Sequence, residues 1–113
     1  MNVSYLGPKG TFSEIAVAHY FSENINKHPK SSIEDVFKSV ENSEVDYGVV
    51  PIENSVEGSV NNTLDLLLDS TVLINGEIEI IINQCLLSQE TDLKSVKRIF
   101  GHPQSFAQCK KWI

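Results

Sequence analysis

The chain has 113 residues, of which 41% are hydrophobic and 21% are charged, and no stretch approaches the roughly 20 apolar residues of a membrane span. Nine basic and fifteen acidic residues give a net charge of −6 without a basic stripe, which argues against nucleic acid and anionic membranes as partners. The first residues lack the basic and apolar segments of a secretion signal, so we expect a cytoplasmic protein of one domain, or of one domain and part of another.

The first predicted elements are a strand, a turn and a helix. Asn2 to Leu6 alternates in the manner of a short strand, which stops at the glycine- and proline-rich residues 7–10. Thr11 is expected to cap the following helix, with Glu14 reaching back to the amide of that cap. Residues 24–30 are polar and contain a proline, so we expect a loop there.

The next elements continue the alternation of strands and helices. Ser32 is expected to cap a second helix, whose apolar residues between Ile33 and Val40 share one face. A strand is predicted over residues 46–52 and a third helix over about residues 59–69. This order of elements favours an α/β layer with a largely parallel sheet.

The composition changes near residues 75 and 76. Residues 77–87 alternate in a way that predicts the longest strand of the chain. A short helical turn is expected within residues 91–96, a short strand over residues 98–101 and a helix over residues 105–112.

The loop after the strand predicted over residues 46–52 is the most informative feature. It carries Glu53, Asn54 and Ser55 in sequence, between a proline and a glycine. Open α/β sheets bind ligands at the carboxyl ends of their strands, and these polar side chains bring no obvious benefit to packing. We therefore interpret the loop as a site, in which Glu53 is either a general base or an anchor for a neighbouring amide.

Three places share the order of strand, polar turn and helix start, namely residues 7–13, 53–59 and 102–105. The unpaired amides and partial positive charge at a helix N-terminus bind carboxylate or phosphate without lysine or arginine, which suits an acidic chain. The alternative is that each turn is an ordinary connection capped for stability. The sequence does not decide whether the three turns converge.

The cysteines and histidines do not predict a metal site. Cys85 and Cys109 are expected to be free thiols, and no histidine has the spacing of a metal ligand. No serine or cysteine lies in a nucleophile elbow, which argues against a hydrolase.

Three segments together resemble prephenate dehydratase, and in similar form the related arogenate dehydratases. They are YLGPKGTFSE (residues 5–14), DYGVVPIENSVEGSVNNTLDLL (residues 46–67) and GHPQSFAQCKKW (residues 101–112). Their order and spacing match that family as well, and the resemblance covers essentially the whole chain.

The resemblance implies a two-lobed α/β fold like that of the periplasmic ligand-binding proteins of type II. Residues 1–75 would form the first lobe, nearly complete, and residues 76–113 the start of a truncated second lobe. The reaction implied is the loss of carbon dioxide and water from prephenate to give phenylpyruvate, in phenylalanine biosynthesis. The resemblance implies neither a metal nor an organic cofactor.

The resemblance also assigns roles to residues of this chain. It implies donors at Asn54 and Ser55, supported by Glu53, and a further catalytic side chain at Gln108. Substrate contact is implied for the remaining site residues, Thr11, Ser13, His102 and Gln104.

Two departures from the family pattern matter. Gln84 stands where many relatives have a histidine. The Thr-Arg-Phe motif of the family, whose threonine is regarded as the principal proton donor, is absent from these 113 residues. We therefore expect the chain to be an N-terminal part of the enzyme and to be inactive alone.

Two other functions stay open at this point. The first is a non-catalytic module of the same two-lobed fold that binds a small carboxylate, and the second is a purely structural α/β domain, which leaves the polar loop unexplained. An incomplete second lobe would leave a strand edge and apolar surface uncovered, so we also expect association into a homo-oligomer.

Overall fold

The computed structural model, which describes residues 1–21, 24–55 and 58–113, contains a parallel three-stranded sheet. Its strands β1 (Asn2–Leu6), β2 (Asn26–Lys30) and β3 (Tyr47–Val49) lie in the order β2-β1-β3. Helix α1 (Phe12–Tyr20) connects β1 to β2, and helix α2 (Ile33–Glu41) connects β2 to β3. The predicted α/β layer with a parallel sheet is confirmed.

The two helices cover opposite faces of the central strand β1. Val3 and Tyr5 point to one face, where they are fully buried against Val17 of α1. Ser4 points to the other face, where its hydroxyl accepts a hydrogen bond of 3.0 Å from Ser39 of α2. Since successive side chains of a strand alternate between faces, this small core has the build of a doubly wound sheet.

Strand β2 contradicts the loop predicted over residues 24–30. It runs parallel to β1 in a register from Asn2 opposite Asn26 to Leu6 opposite Lys30. Its side chains are mostly exposed, because it lies at an edge of the sheet and is held by backbone hydrogen bonds rather than by an apolar face. An edge position also tolerates its proline, Pro29.

The predicted N-cap is wrong for α1 and confirmed for α2. Glu14 does not reach the amide of Thr11, because its carboxylate accepts a hydrogen bond of 2.7 Å from the amide of Gly10. The hydroxyl of Thr11 donates to the carbonyl of Leu6 at 3.3 Å instead of capping α1. For α2 the prediction is confirmed, since Ser32 Oγ accepts from a backbone amide in the first turn at 3.1 Å.

A short β-ribbon and two helices follow the sheet. The ribbon pairs β4 (Glu53–Asn54) with β5 (Gly58–Ser59) in antiparallel fashion. Helix α3 (Asn61–Asp69) comes directly after it, and helix α4 (Pro103–Cys109) lies near the end of the chain. None of the helices in the described ranges combines the length and the apolar character required to cross a bilayer.

The strands predicted over residues 77–87 and 98–101 are wrong. Neither segment forms a strand, and Ile81 and Leu87 are 85% and 90% exposed. An alternating pattern becomes a strand only where a neighbouring strand takes up its backbone hydrogen bonds, and within residues 1–21, 24–55 and 58–113 no such neighbour pairs with these segments. The helical turn expected within residues 91–96 is confirmed as a 3-10 turn over Leu93–Ser95.

The hydroxyl of Tyr5 is an unsatisfied polar group within the core. Tyr5 is fully buried, and among the described residues no atom meets hydrogen-bond geometry with its hydroxyl. Burial raises the pKa of Tyr5 above its ordinary value, and the nearby Glu14 carboxylate raises it further through its charge and as a hydrogen-bond acceptor. A weak interaction with Glu14, short of hydrogen-bond geometry, is therefore what offsets the desolvation of the hydroxyl.

We expect Tyr5→Phe to leave the free energy of unfolding unchanged or to raise it by up to about 1 kcal/mol, because it removes only the unpaired hydroxyl. Urea unfolding followed by circular dichroism measures the effect. Tyr20→Phe, at a half-exposed position, is the matched control and should change nothing. A clear loss of stability in Tyr5→Phe alone would show that the hydroxyl has a partner in solution.

Candidate active site

Two of the three predicted polar turns lie at the same end of the sheet, namely at the carboxyl ends of β1 and β3. The chain leaves β1 towards one neighbour, β2, and returns on its other side as β3, paired with β1 from Val3 opposite Tyr47 to Tyr5 opposite Val49. Such a reversal opens a crevice at the carboxyl ends of the two strands, where doubly wound sheets bind ligands. The turn of residues 7–13 follows β1, and the loop carrying Asn54 follows β3.

The loop after β3 is more regular than the sequence suggested. The predicted strand over residues 46–52 ends early, at Val49, and the polar residues form the β-ribbon of β4 and β5. Gly58, with φ of +83°, adopts a backbone conformation that suits glycine at the start of β5. Residues 56 and 57 of this loop lie outside the described residues.

The base of the ribbon is fixed by hydrogen bonds to helix α3 and its cap. The amide of Val60 donates to the carbonyl of Ile52 at 2.8 Å, and this bond extends the pairing of the ribbon. The buried hydroxyl of Thr63, in the first turn of α3, donates to the carbonyl of Pro51 at 2.6 Å. These hydrogen bonds fix the position of the backbone that carries the polar side chains of the ribbon.

An open groove of about 920 Å³ separates this ribbon from helix α4. One side carries the predicted site residues Glu53, Asn54 and Ser55, and the opposite side carries Gln108. Asn54 and Gln108 are half-buried, whereas Glu53 and Ser55 are exposed. The groove is completed by Ile52, by residues 78–84, and by Cys109, Lys111 and Trp112.

Gln84 contributes to the groove in a way that sequence reasoning missed. Its side-chain amide donates a hydrogen bond of 2.7 Å to the side-chain oxygen of Gln108. A glutamine whose oxygen is occupied in this way offers its own N–H groups to an acceptor. Gln84 therefore orients Gln108, and no sequence signal links two positions so far apart in the chain.

The other predicted site residues lie outside this groove. Thr11 and Ser13 stand at the start of α1, where both are half-buried. His102 caps α4, since its Nδ1 accepts a hydrogen bond of 3.2 Å from the amide of Gln104, and both side chains are exposed. Contact of these four residues with a ligand stays a prediction.

The groove can bind an anion through neutral donors and one cation. Amide and hydroxyl groups of Asn54, Ser55 and Gln108 are its uncharged donors, and Lys111 is the basic residue among the lining residues that the structure describes. No three histidine, cysteine, aspartate or glutamate side chains within the described ranges are grouped as metal ligands. The site therefore has the chemistry of carboxylate binding and of hydrogen bonding to a leaving oxygen.

Comparison with protein families agrees with the motifs. The family model of prephenate dehydratase matches residues 3–113 of the chain. The chain belongs to the prephenate dehydratase family. The resemblance carried by the three sequence segments is thereby confirmed.

Individual relatives support the same family. The bifunctional chorismate mutase/prephenate dehydratase of Stutzerimonas stutzeri is 45% identical over 114 residues, which cover 100% of this chain and 31% of the relative. The chain thus spans about a third of the length of the curated relatives it matches.

Two solved structures are similar to part of the fold. The prephenate dehydratase of Streptococcus mutans matches with 39% identity and a TM-score of 0.58, over 61% of this chain and 36% of that one. The enzyme of Staphylococcus aureus subsp. aureus Mu50 matches with 49% identity and a TM-score of 0.52, over 61% of this chain and 26% of that one.

Proposed function

We propose that the chain forms part of a prephenate dehydratase, which converts prephenate to phenylpyruvate in phenylalanine biosynthesis. The observation that carries this proposal is the groove that Asn54 and Ser55 of the β-ribbon line together with Gln108 of α4. These residues come from segments distant in the chain, and they are the side chains for which the family resemblance implies catalysis.

The chemistry suits a site of this composition. Prephenate is a small dianion whose ring becomes aromatic when its ring carboxylate leaves as carbon dioxide and its hydroxyl leaves as water. The electron pair of the broken carbon–carbon bond enters the ring, and the departing hydroxyl takes up one proton to leave as water. The resemblance assigns this proton to the threonine of the Thr-Arg-Phe motif, which lies outside these 113 residues. A protein must therefore hold the side-chain carboxylate, provide a donor to the hydroxyl and exclude water from the ring carboxylate.

We assign the donors among the groove residues accordingly. Asn54 and Ser55 hydrogen-bond to the departing hydroxyl and stabilise the charge that develops on it, while Glu53 supports the ribbon. Gln108, oriented by Gln84 at 2.7 Å, binds the substrate from the opposite side.

The residues outside the groove have supporting roles in this proposal. Thr11 and Ser13 approach the substrate from the turn after β1, at the sheet edge that also carries the loop after β3. His102 and Gln104 contribute by fixing the start of α4, which their hydrogen bond of 3.2 Å supports. The helix then places Gln108 one turn further on.

We also propose the two-lobed arrangement of the periplasmic ligand-binding type. Residues 1–75 make up the first lobe, since the sheet and helices α1 to α3 all lie within this range. Residues 76–113 begin the second lobe and supply the opposite wall of the groove through residues 78–84 and α4. The groove would then be the cleft between the lobes.

A spectroscopic assay for phenylpyruvate tests the proposed activity. The protein as its gene encodes it should convert prephenate, whereas the isolated 113 residues should show no turnover, because they lack the Thr-Arg-Phe motif whose threonine the resemblance makes the principal proton donor. Turnover at a normal rate by the isolated 113 residues, or none by the encoded protein, would contradict the proposal.

A second candidate function is a module that binds a small carboxylate without reaction. The groove favours it in one respect, because its amide and hydroxyl groups are hydrogen-bond donors rather than groups that readily transfer protons. Saturable binding of prephenate, measured by calorimetry, with no phenylpyruvate formed by the encoded protein would identify this function.

Exposed apolar side chains support the proposed self-association. Leu73, Leu87 and Phe100 are each more than four-fifths exposed, and association would remove such apolar surface from water. Light scattering on the isolated 113 residues should therefore report species larger than a monomer, and a monodisperse monomer would contradict this expectation.

A further inference from the structure

Lys111 is a cation in the groove to which none of the roles assigned above belongs. It lines the groove together with two acidic residues, Glu53 and Glu79. In the part of the chain that the structure describes, its ammonium group forms no ion pair within 4.0 Å, unlike that of Lys38, which lies 2.7 Å from Glu34. A positive charge is therefore available in the groove.

Local helical geometry places Lys111 on the face of Gln108. Although α4 ends at Cys109, the chain keeps helical dihedral angles at Lys110, and the amide of Ile113 donates to the carbonyl of Cys109 at 3.1 Å. Residues three apart in such a turn share a face. Lys111 accordingly lines the groove one turn beyond Gln108, whereas Lys110 does not line it.

We propose that Lys111 binds one carboxylate of the substrate and so positions it between Gln108 and the β-ribbon. This inference rests on the proposed function and names the group that recognises the charge of the substrate. Glu53 and Glu79 repel a dianion, and neutral donors alone do not compensate for two acidic neighbours. An ammonium group makes a charge-assisted hydrogen bond, which is stronger than a bond from a neutral donor.

The chemistry of the reaction decides which carboxylate Lys111 binds. The ring carboxylate must lose its charge as it becomes carbon dioxide, so a cation paired with it would stabilise the ground state more than the transition state and slow the reaction. The side-chain carboxylate keeps its charge from substrate to product. Lys111 therefore binds the side-chain carboxylate, with similar strength in the ground state and the transition state.

Uniform binding of this kind predicts a defined kinetic pattern. Lys111→Met, assayed in the protein as its gene encodes it, should raise KM for prephenate by about tenfold or more and leave kcat within about threefold. Lys111→Arg should restore most of the affinity, because it keeps the charge. Lys110→Met is the matched control, with an adjacent lysine outside the groove, and should leave KM unchanged.

A salt titration separates charge from packing. The KM of the unmodified protein and of Lys110→Met should rise with ionic strength, while the KM of Lys111→Met should depend on it much less. Thermal unfolding of each variant shows that the substituted protein is folded.

These measurements test the role of Lys111 separately from the proposed activity of the protein. An equal KM in Lys111→Met and Lys110→Met overturns the role of Lys111 but leaves the proposed function intact, provided that the unmodified protein turns over prephenate. A fall in kcat at constant KM overturns the assignment to the side-chain carboxylate. Absence of turnover in the unmodified protein overturns both the proposed function and this inference.

Discussion

Asn54→Ala should lower kcat for phenylpyruvate formation by about 100-fold or more in the protein as its gene encodes it, because the proposed function makes Asn54 a donor to the oxygen on which charge develops. Asn54 lies in β4, opposite Gly58 of β5, and its half-buried side chain lines the groove across from Gln108. Because strand pairing holds the backbone of Asn54, its side chain needs little reorganisation to donate a hydrogen bond during the reaction. Its loss should therefore appear mainly in kcat.

The matched control for this prediction is Asn62→Ala. Asn62 is exposed in the first turn of α3 and lies outside the groove, so the same truncation there should leave kcat unchanged. Urea unfolding of both variants should give similar stabilities. Full kcat in Asn54→Ala would remove this residue from the chemistry, and a loss of kcat that only follows a loss of stability would make its role structural.

Gly48→Ala should lower the free energy of unfolding by about 1–3 kcal/mol, because α2 packs directly against β3 at this glycine. A methyl group added at Gly48 would lie 2.8 Å from Cγ1 of Val36 and 3.0 Å from Cγ2 of Val40. Both atoms belong to side chains on the helix face that covers the sheet. The helix must therefore shift or its valines must leave their positions, and denaturant unfolding would report the cost.

Two further variants make this prediction specific. Gly101→Ala adds a methyl group 3.7 Å from the ring of Phe106, an ordinary contact, and should change stability by less than about 0.5 kcal/mol. The double variant Gly48→Ala with Val36→Ala removes the obstructing methyl group, so its loss should be smaller than the sum of the two single losses. Strict additivity would show that the close approach of α2 to β3 does not set the cost.

The elements that could be predicted from the sequence are those whose signals are local. Strand β1, helix α2 and its cap Ser32 each depend on residues within a few positions of one another. Strand β2 could not be predicted because backbone pairing at an edge requires no apolar pattern. The strand predicted over residues 77–87 was wrong for the opposite reason, since this segment has the pattern of a strand but no neighbour to pair with in the part of the chain that the structure describes.

The candidate site, like the fold, has some features that the sequence predicts and others that it does not. Asn54, Ser55 and Gln108 were predicted from family motifs, and the structure places them around one groove. The ribbon that carries Asn54 could not be predicted, because two-residue strands are too short to show a period. The roles of Gln84 and Lys111 in the groove were missed, since their relation to Gln108 depends on a hydrogen bond and a helical turn that no sequence signal predicts.

The polar edge strand β2 determines in which direction the sheet can be extended. Pro29 lacks an amide hydrogen, and the exposed Lys27 and the partly exposed Lys30 would be brought into contact with any strand that tried to add at this side. These residues therefore disfavour the pairing of a further strand with β2, including edge-to-edge pairing between copies of the chain. An additional strand would instead join beside β3, the strand that leads into the ribbon carrying Asn54, so that enlarging the sheet would add structure next to the candidate site.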